Sequence, residues 1–272
     1  MIYLGIAAWC LDTPGFNALL RAADFGLSSV QIDVGIPGNN YYLGNPEVID
    51  AYRRFSEKNE VAIVGIGAKF VNDMGMTNNI GTQADHNCQA LIATTIDAAI
   101  ALGTPFIFFP SFRKSEICNE NDLFNTARLL KQACIQAAPH GIEIGSENSL
   151  GCNGNRKLIG MVEENNFRIL IDSYNPVIFG HNVSSILEEL TPYIAKQVHV
   201  KDGIGGRMGS AQLGTGEGRF FETMKTLKSL NFEGMILLEN KYLVDTERRV
   251  TEDLAVLARL FDVPNPVLST KG

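Results

Sequence analysis

Short runs of β-branched and aliphatic residues alternate with longer stretches of helical period from one end of the chain to the other. Eight runs, at 2–7, 29–34, 61–66, 105–110, 142–147, 168–172, 197–201 and 234–239, predict strands. Amphipathic stretches at 15–25, 46–59, 82–102, 121–138, 155–165, 183–190, 220–230 and 246–261 predict the helices that follow them. The strand runs are continuously apolar rather than alternating, as in strands covered by helices on one face and by a packed interior on the other. Each helix therefore returns the chain for another parallel strand. The units average about 34 residues, the size of a repeat in a closed (β/α)8 barrel of roughly 250 residues, and no linker divides them. A doubly wound open sheet would carry a Gly-x-Gly-x-x-Gly phosphate loop in its first βα turn. Here that turn reads Ala7-Ala8-Trp9-Cys10-Leu11-Asp12. The pattern predicts an α/β fold, a single (β/α)8 TIM barrel over 1–262. In the tail at 263–272, Pro264 and Pro266 stop the last helix, and the tail is expected to pack over or hang off the rim.

Composition narrows the class without changing that architecture. The 272 residues are 45% hydrophobic and 19% charged with 26 glycines, enough apolar side chain for a sizeable core and too ordinary for disorder or collagen-like repeats. A net charge of −7 argues against nucleic-acid or anionic-membrane partners, because counterion-release binding needs a basic face. The five cysteines (Cys10, Cys88, Cys118, Cys134 and Cys152) form no Cys-x-x-Cys pair, which suits free thiols in a reducing compartment. No basic segment precedes the apolar run at 2–9, and no uninterrupted apolar stretch reaches about 18 residues. The expected setting is cytoplasmic.

In such a barrel reactive groups sit at the C-terminal ends of the strands, and buried carboxylates elsewhere are expensive. The fifth run ends in Gly145-Ser146-Glu147-Asn148, the sixth in Ile171-Asp172-Ser173, the seventh in Val198-His199-Val200-Lys201-Asp202 and the eighth in Leu237-Leu238-Glu239-Asn240. Singly, each has a plain structural role: a helix cap for Asp172, a core imidazole for His199, a rim salt bridge for either glutamate. Together they put three carboxylates and an imidazole at one height of one mouth, where unpaired carboxylates repel unless a cation holds them. A donor set of mostly oxygen with one nitrogen favours one Mn²⁺, Co²⁺ or Mg²⁺ ion over a structural zinc, with Zn²⁺ still compatible.

Glu147, Asp172, His199 and Glu239, with VHVKD at 198–202 and LGTGEG at 213–218, resemble the xylose isomerase-like barrels of the sugar isomerase and epimerase superfamily. The resemblance covers essentially the whole chain. By ligand set it is nearest to the single-metal ketose 3-epimerases of the tagatose and psicose epimerase type. It implies a small-molecule sugar substrate, one divalent metal, and proton exchange by Glu147 and Glu239 through an enediolate. Strands five and eight are three steps apart in a ring of eight, so these glutamates face each other across the mouth at roughly 135°. The spacing permits two-faced proton transfer; the resemblance assigns it. Those epimerases carry a histidine three residues after the strand-six aspartate, where it contacts substrate, and here Asn175 stands in that place. Substrate identity is therefore open. Lys201-Asp202 resembles the broader superfamily, including inosose dehydratases, in which Lys201 would protonate a departing hydroxyl. An aldose–ketose isomerase, a dehydratase and a non-catalytic sugar-binding barrel remain as alternatives. The three-zinc apurinic endonuclease of the same barrel needs many more histidines than the four present.

Around this set, Asn175, Lys201, Asp202, Arg207, Arg113, Lys69 and Trp9 are the candidate substrate contacts, with Asp33 a further mouth residue able to grip sugar hydroxyls. Lys201 and Asp202 otherwise form a mutual salt bridge at the rim. Trp9 and Phe70 either pack on a sugar's carbon edge or plug the barrel top, while Phe108, Phe109 and Phe112 suit core or rim packing. The loop 214–218 precedes a helix N-terminus, an arrangement that often binds phosphate. Glu217 inside it argues against a dianion, Arg207 and Arg219 argue weakly for one, and an unphosphorylated sugar or polyol is mildly favoured. A tight loop using glycine's permissive dihedrals is the stronger reading of that segment. His86 and His140 fall outside the ligand set, and His181 is expected at the surface. Homo-oligomerisation through the outer helices is left open.

Overall fold

The computed structural model describes residues 1–269. Eight strands close into a parallel barrel: β1 (Ile2–Ala7), β2 (Ser29–Asp33), β3 (Ala62–Gly67), β4 (Phe106–Ser111), β5 (Glu143–Asn148), β6 (Phe167–Asp172), β7 (Ile194–Val200) and β10 (Gly234–Leu238). Each is bonded to its neighbour in chain order, and β10 closes the ring against β1. The intervening pair, β8 (Asp202–Ile204) and β9 (Arg207–Ala211), is a separate antiparallel hairpin at the mouth.

The outer ring consists of α1 (Asn17–Asp24), α2 (Pro46–Asn59), α4 (Gln83–Leu102), α5 (Glu120–Ala137), α6 (Cys152–Val162), α8 (Val183–Leu190), α9 (Phe220–Ser229) and α10 (Thr246–Phe261), with short helices α3 (Val71–Met74), α7 (Asn175–Ile178) and α11 (Pro266–Ser269). Their starts are written locally. Asn45 caps α2 by accepting from the Glu47 N–H, with Pro46 in the first turn; Thr82 caps α4, Asn119 α5 and Asn182 α8 in the same manner. The fifth long helix, α6, begins three residues earlier than its apolar period suggests. Its polar first turn is held because the buried Asn155 amide donates to the carbonyls of Leu150 and Gly151. It ends at Glu163, which takes a left-handed conformation and turns the chain into β6. In the tail, Val267 of α11 is buried with the main core; the part of the expected tail at 270–272 lies outside the described residues.

The principal core lies between strands and helices, while the barrel interior holds a small separate cluster of Phe106, Phe108, Leu170 and Ala195 with Trp9 against it. Above that cluster the inward positions turn polar. Along β7 and just beyond it, Gln197, His199 and Lys201 alternate with Val198 and Val200, whose side chains join the outer core.

The hairpin and the glycine-rich segment after it were expected only as a loop. Gly205 and Gly206 both have positive φ, as a two-residue hairpin turn of type I′ requires. Asp202 does not pair with Lys201 and does not face the mouth as a substrate contact. Fully buried, its Oδ1 accepts from the N–H groups of Gly203 (2.9 Å) and Gly218 (3.0 Å), and its Oδ2 from those of Gly214 (3.0 Å) and Gly216 (2.9 Å). The backbone nest that could have cradled a phosphate is filled by the chain's own carboxylate. A Cβ at Gly216 would stand 2.3 Å from Asp202 Oδ1, so this glycine is needed for close approach, whereas Gly214, at φ 83°, is the one that turns the chain.

Removing this anchor strands four N–H groups around a buried void. Asp202→Ala is expected to lower stability by about 3 kcal/mol or more, read as a reduced urea midpoint with an unchanged slope. An unchanged midpoint would refute the anchoring role.

Candidate metal centre and active site

Four consecutive barrel strands deliver one side chain each to the C-terminal mouth. Glu147 comes from β5, Asp172 from the end of β6, His199 from β7, and Glu239 from the residue after β10, where its N–H donates to the Val200 carbonyl at 2.8 Å. One ligand atom from each lies within 4.8 Å of the other three, and the group is buried. Three polar atoms here are buried without a hydrogen-bond partner: Asp172 Oδ2, His199 Nδ1 and Asn175 Oδ1. A carboxylate oxygen and an imidazole nitrogen left bare within one cluster are the donors a metal ion takes up. The four residues could hold such an ion.

Each member is held by a dedicated partner. Asn175, the first residue of α7, donates from Nδ2 to Glu147 Oε1 at 2.7 Å and from its backbone N–H to Asp172 Oδ1 at 2.5 Å. Trp9 Nε1 donates to Glu239 Oε1 at 3.0 Å. Lys201 Nζ donates to Glu239 Oε2 at 2.6 Å and lies 3.2 Å from Asp172 Oδ2, in ion-pair contact off the line of a hydrogen bond. The lysine thus turns into the mouth rather than toward Asp202.

The histidine's proton is placed by a chain that crosses the barrel. The Val64 carbonyl can only accept, so Gln197 Nε2 donates to it at 2.7 Å. Gln197 Oε1 then accepts from Gln31 Nε2 at 2.6 Å, and Gln31 Oε1 accepts from His199 Nε2 at 2.6 Å. The imidazole accordingly carries hydrogen on Nε2 and points Nδ1 at Glu239 Oε2 (3.4 Å) and Glu147 Oε1 (3.9 Å). The rings of Phe108 and Trp9 pack edge-on against it, with centroids at 5.2 and 6.1 Å.

These contacts set the charges of the metal-free site. Burial disfavours a charged His199, yet Glu239 and Glu147 outweigh it and raise the imidazole to about 10. Burial also pushes Asp172 up to about 7, opposed by Lys201 and reinforced by the two glutamates. Glu239 is pushed up by burial but held well below the usual carboxylate range by Lys201 and His199. Lys201 is lifted above its ordinary value against its burial by Asp172 and both glutamates.

Of the other sequence candidates, Lys69 is half-buried, with its ammonium 4.6 Å from the centroid of the Trp9 ring. Arg113 is exposed and pairs with Asp73 at 3.1 Å, and Arg207 is exposed on the hairpin; neither contacts the cluster. His86 and His140 are exposed. His181 is half-buried rather than at the surface, because its Nε2 meets the Ser149 carbonyl at 3.1 Å. Gln31 and Gln197 escaped sequence reasoning. Their signal was a polar residue at an inward position of otherwise apolar strands, two residues before His199 in the case of Gln197.

A model of the xylose isomerase-like TIM barrel family matches residues 19–260. The chain belongs to that family. Among its relatives, 2-epi-5-epi-valiolone 7-phosphate 2-epimerase from Actinoplanes sp. is 31% identical over 252 residues, 92% of each chain. In fold, the barrel is similar to a xylose isomerase domain protein from Planctomyces limnophilus, with a TM-score of 0.76, 20% identity and 95% of each chain covered. It is equally similar to D-allulose 3-epimerase from Methylomonas sp., at TM-score 0.76 and 14% identity over 95% of this chain and 98% of that one.

Two expectations follow for this xylose isomerase-like barrel. A metal must displace the His199 proton at any pH below about 10, and that of Asp172 below about 7. Apparent Mn²⁺ affinity measured by calorimetry should then rise about tenfold per pH unit between pH 7 and 9, and more steeply below pH 7. A pH-independent affinity would contradict this. Gln31→Leu, which unties the histidine, should weaken metal binding by about 10- to 100-fold, and should also lower the melting temperature of the metal-free protein, because it strands Gln197 Oε1 and His199 Nε2 inside the barrel.

Proposed function

We propose that the protein is a divalent-metal-dependent sugar epimerase. Its substrate is a ketose or related polyol ketone, and the stereocentre inverted is the one beside the carbonyl. In a 2-ketose that centre is C3. The observation that carries this reading is the pair of glutamates facing one another from β5 and β10, three strands apart around the ring, over Asp172 and His199. Inversion needs a proton removed from one face of a carbon and returned to the other, hence two opposed acid/base groups rather than one. The epimerase named among the relatives supports epimerisation over dehydration.

Glu147, Asp172, His199 and Glu239 would hold the ion, with Mn²⁺ or Co²⁺ best suited to three oxygens and one nitrogen. The bound ion supplies Lewis-acid stabilisation of charge developing on the carbonyl oxygen. The protein supplies the rest. One glutamate enters ionised and takes the proton from the carbon beside the carbonyl, the other enters protonated and delivers its own to the opposite face, and exchange with solvent between turnovers restores both; the reverse reaction uses them in the opposite order. Asn175 keeps the Glu147 carboxylate turned inward by its 2.7 Å bond, and Trp9 with Lys201 fixes both oxygens of Glu239. Asn175 Oδ1 remains as an acceptor for a substrate hydroxyl.

The test is incubation of the Mn²⁺-loaded protein with free ketoses in D₂O. Deuterium should enter only the carbon beside the carbonyl, with both epimers labelled. Glu147→Gln and Glu239→Gln should each lower turnover by at least about 10³-fold while the circular-dichroism spectrum stays that of the wild type. Wild-type rates in either variant would end the two-carboxylate mechanism.

A further inference from the structure

Both oxygens of Glu239 accept from side chains, Oε2 from the Lys201 ammonium and Oε1 from the Trp9 indole. The two tethers differ in kind. An indole N–H can only donate, and how firmly it holds a carboxylate depends on where the ring lies and how polar the N–H is. Both are influenced by a group outside the cluster. The Lys69 ammonium stands over the indole, 4.6 Å from the ring centroid. A cation there attracts the π electrons, which opposes movement of the ring and leaves its N–H a stronger donor.

The local fold keeps Lys69 in place. Its backbone N–H donates to Asp33 Oδ1 at 3.3 Å, and its carbonyl accepts from the Asn72 N–H at 3.2 Å. Ala68 just before it donates to the Phe108 carbonyl at 2.9 Å, which fixes the end of β3 against β4. Asp33 also draws the ammonium toward the mouth: burial pushes its carboxyl up, and the Lys69 charge opposes that rise. Among the described residues the ammonium has no hydrogen bond or close ion pair to compete with the indole. Lys69, Asp33, Trp9 and Glu239 lie at the ends of β3, β2, β1 and β10, four consecutive strands of the ring. A charge placed by β3 is thus passed through an aromatic ring to an acid/base group on β10.

We propose that Lys69 is a positioning residue for the reaction, acting through the Trp9 indole to hold Glu239 Oε1 rather than by touching substrate. The proposal rests on the reading of Glu239 as one of the two proton-transferring groups. Without the ammonium, the indole is less firmly seated and donates more weakly, and Glu239 depends on Lys201 at its other oxygen alone. A carboxylate that wanders from its working orientation slows proton transfer and leaves sugar binding intact, so the loss falls on kcat and not on KM.

Trp9 is the chain's one tryptophan, so the ¹⁵N-labelled full-length protein shows a single indole N–H resonance. In the metal-free protein, Lys69→Met should move that proton upfield, as a weaker donor, and Lys69→Arg, which keeps a cation over the ring, should leave it near its wild-type position. In the Mn²⁺-loaded protein, Lys69→Met should lower kcat for ketose epimerisation by about 3- to 30-fold at an unchanged KM, and Lys69→Arg should recover most of it. Trp9→Phe, already slowed by loss of the N–H, should be slowed no further when Lys69→Met is added. An indole resonance indifferent to Lys69→Met, a raised KM at wild-type kcat, or a Lys69→Met loss that persists in the Trp9→Phe background would overturn the role. The raised KM would make Lys69 a substrate contact instead. The resonance needs no substrate, so it decides the link even if no ketose exchanges deuterium, the outcome that would defeat the functional reading by itself.

Discussion

Three carboxylates are brought together in a nearly water-free mouth, and the surrounding structure follows from the need to tolerate them. An uncompensated cluster of this kind would protonate or push itself apart. Here Lys201 lies against Glu239 and Asp172, the imidazole of His199 lies between the two glutamates, and Asn175 donates to Glu147 and Asp172. An ammonium and a divalent ion together would balance three negative charges, which gives the lysine a reason to be inside the mouth rather than on its rim. The residual cost of burial falls on Asp172, raised to about 7 in the absence of metal.

Much of this was legible in the sequence because barrels repeat. The eight alternations of period fixed the architecture, and the rule that chemistry sits at strand ends selected Glu147, Asp172, His199 and Glu239 without any knowledge of contacts. What stayed hidden depends on pairing across the ring. Nothing local in SVQID or KQVHV says that Gln31 and Gln197 touch, because they lie 166 residues apart. Asp202 was misread for the same reason: beside Lys201 in sequence, it is oriented by four glycine N–H groups, three of them more than ten residues downstream. The hairpin at 202–211 carried too many glycines for a strand signal, and the early start of α6 was masked by a polar first turn that tertiary hydrogen bonds support.

The glycine-rich segment shows how one motif can serve two ends. Backbone N–H groups converging in a nest bind an anion, and the anion can be a ligand or a side chain. With Asp202 in place the nest becomes a structural knot that roots the hairpin and the approach to α9.

All four ligand residues belong to the second half of the chain, β5 through the residue after β10. The groups that set the histidine's tautomer, however, begin with Gln31 on β2 and end at the Val64 carbonyl on β3. A half-barrel carrying every ligand would therefore still lack a correctly protonated imidazole. An ion held by these four residues would meet a correctly protonated histidine only in the closed ring. Grafting the four ligands onto another barrel would require carrying the glutamine chain with them.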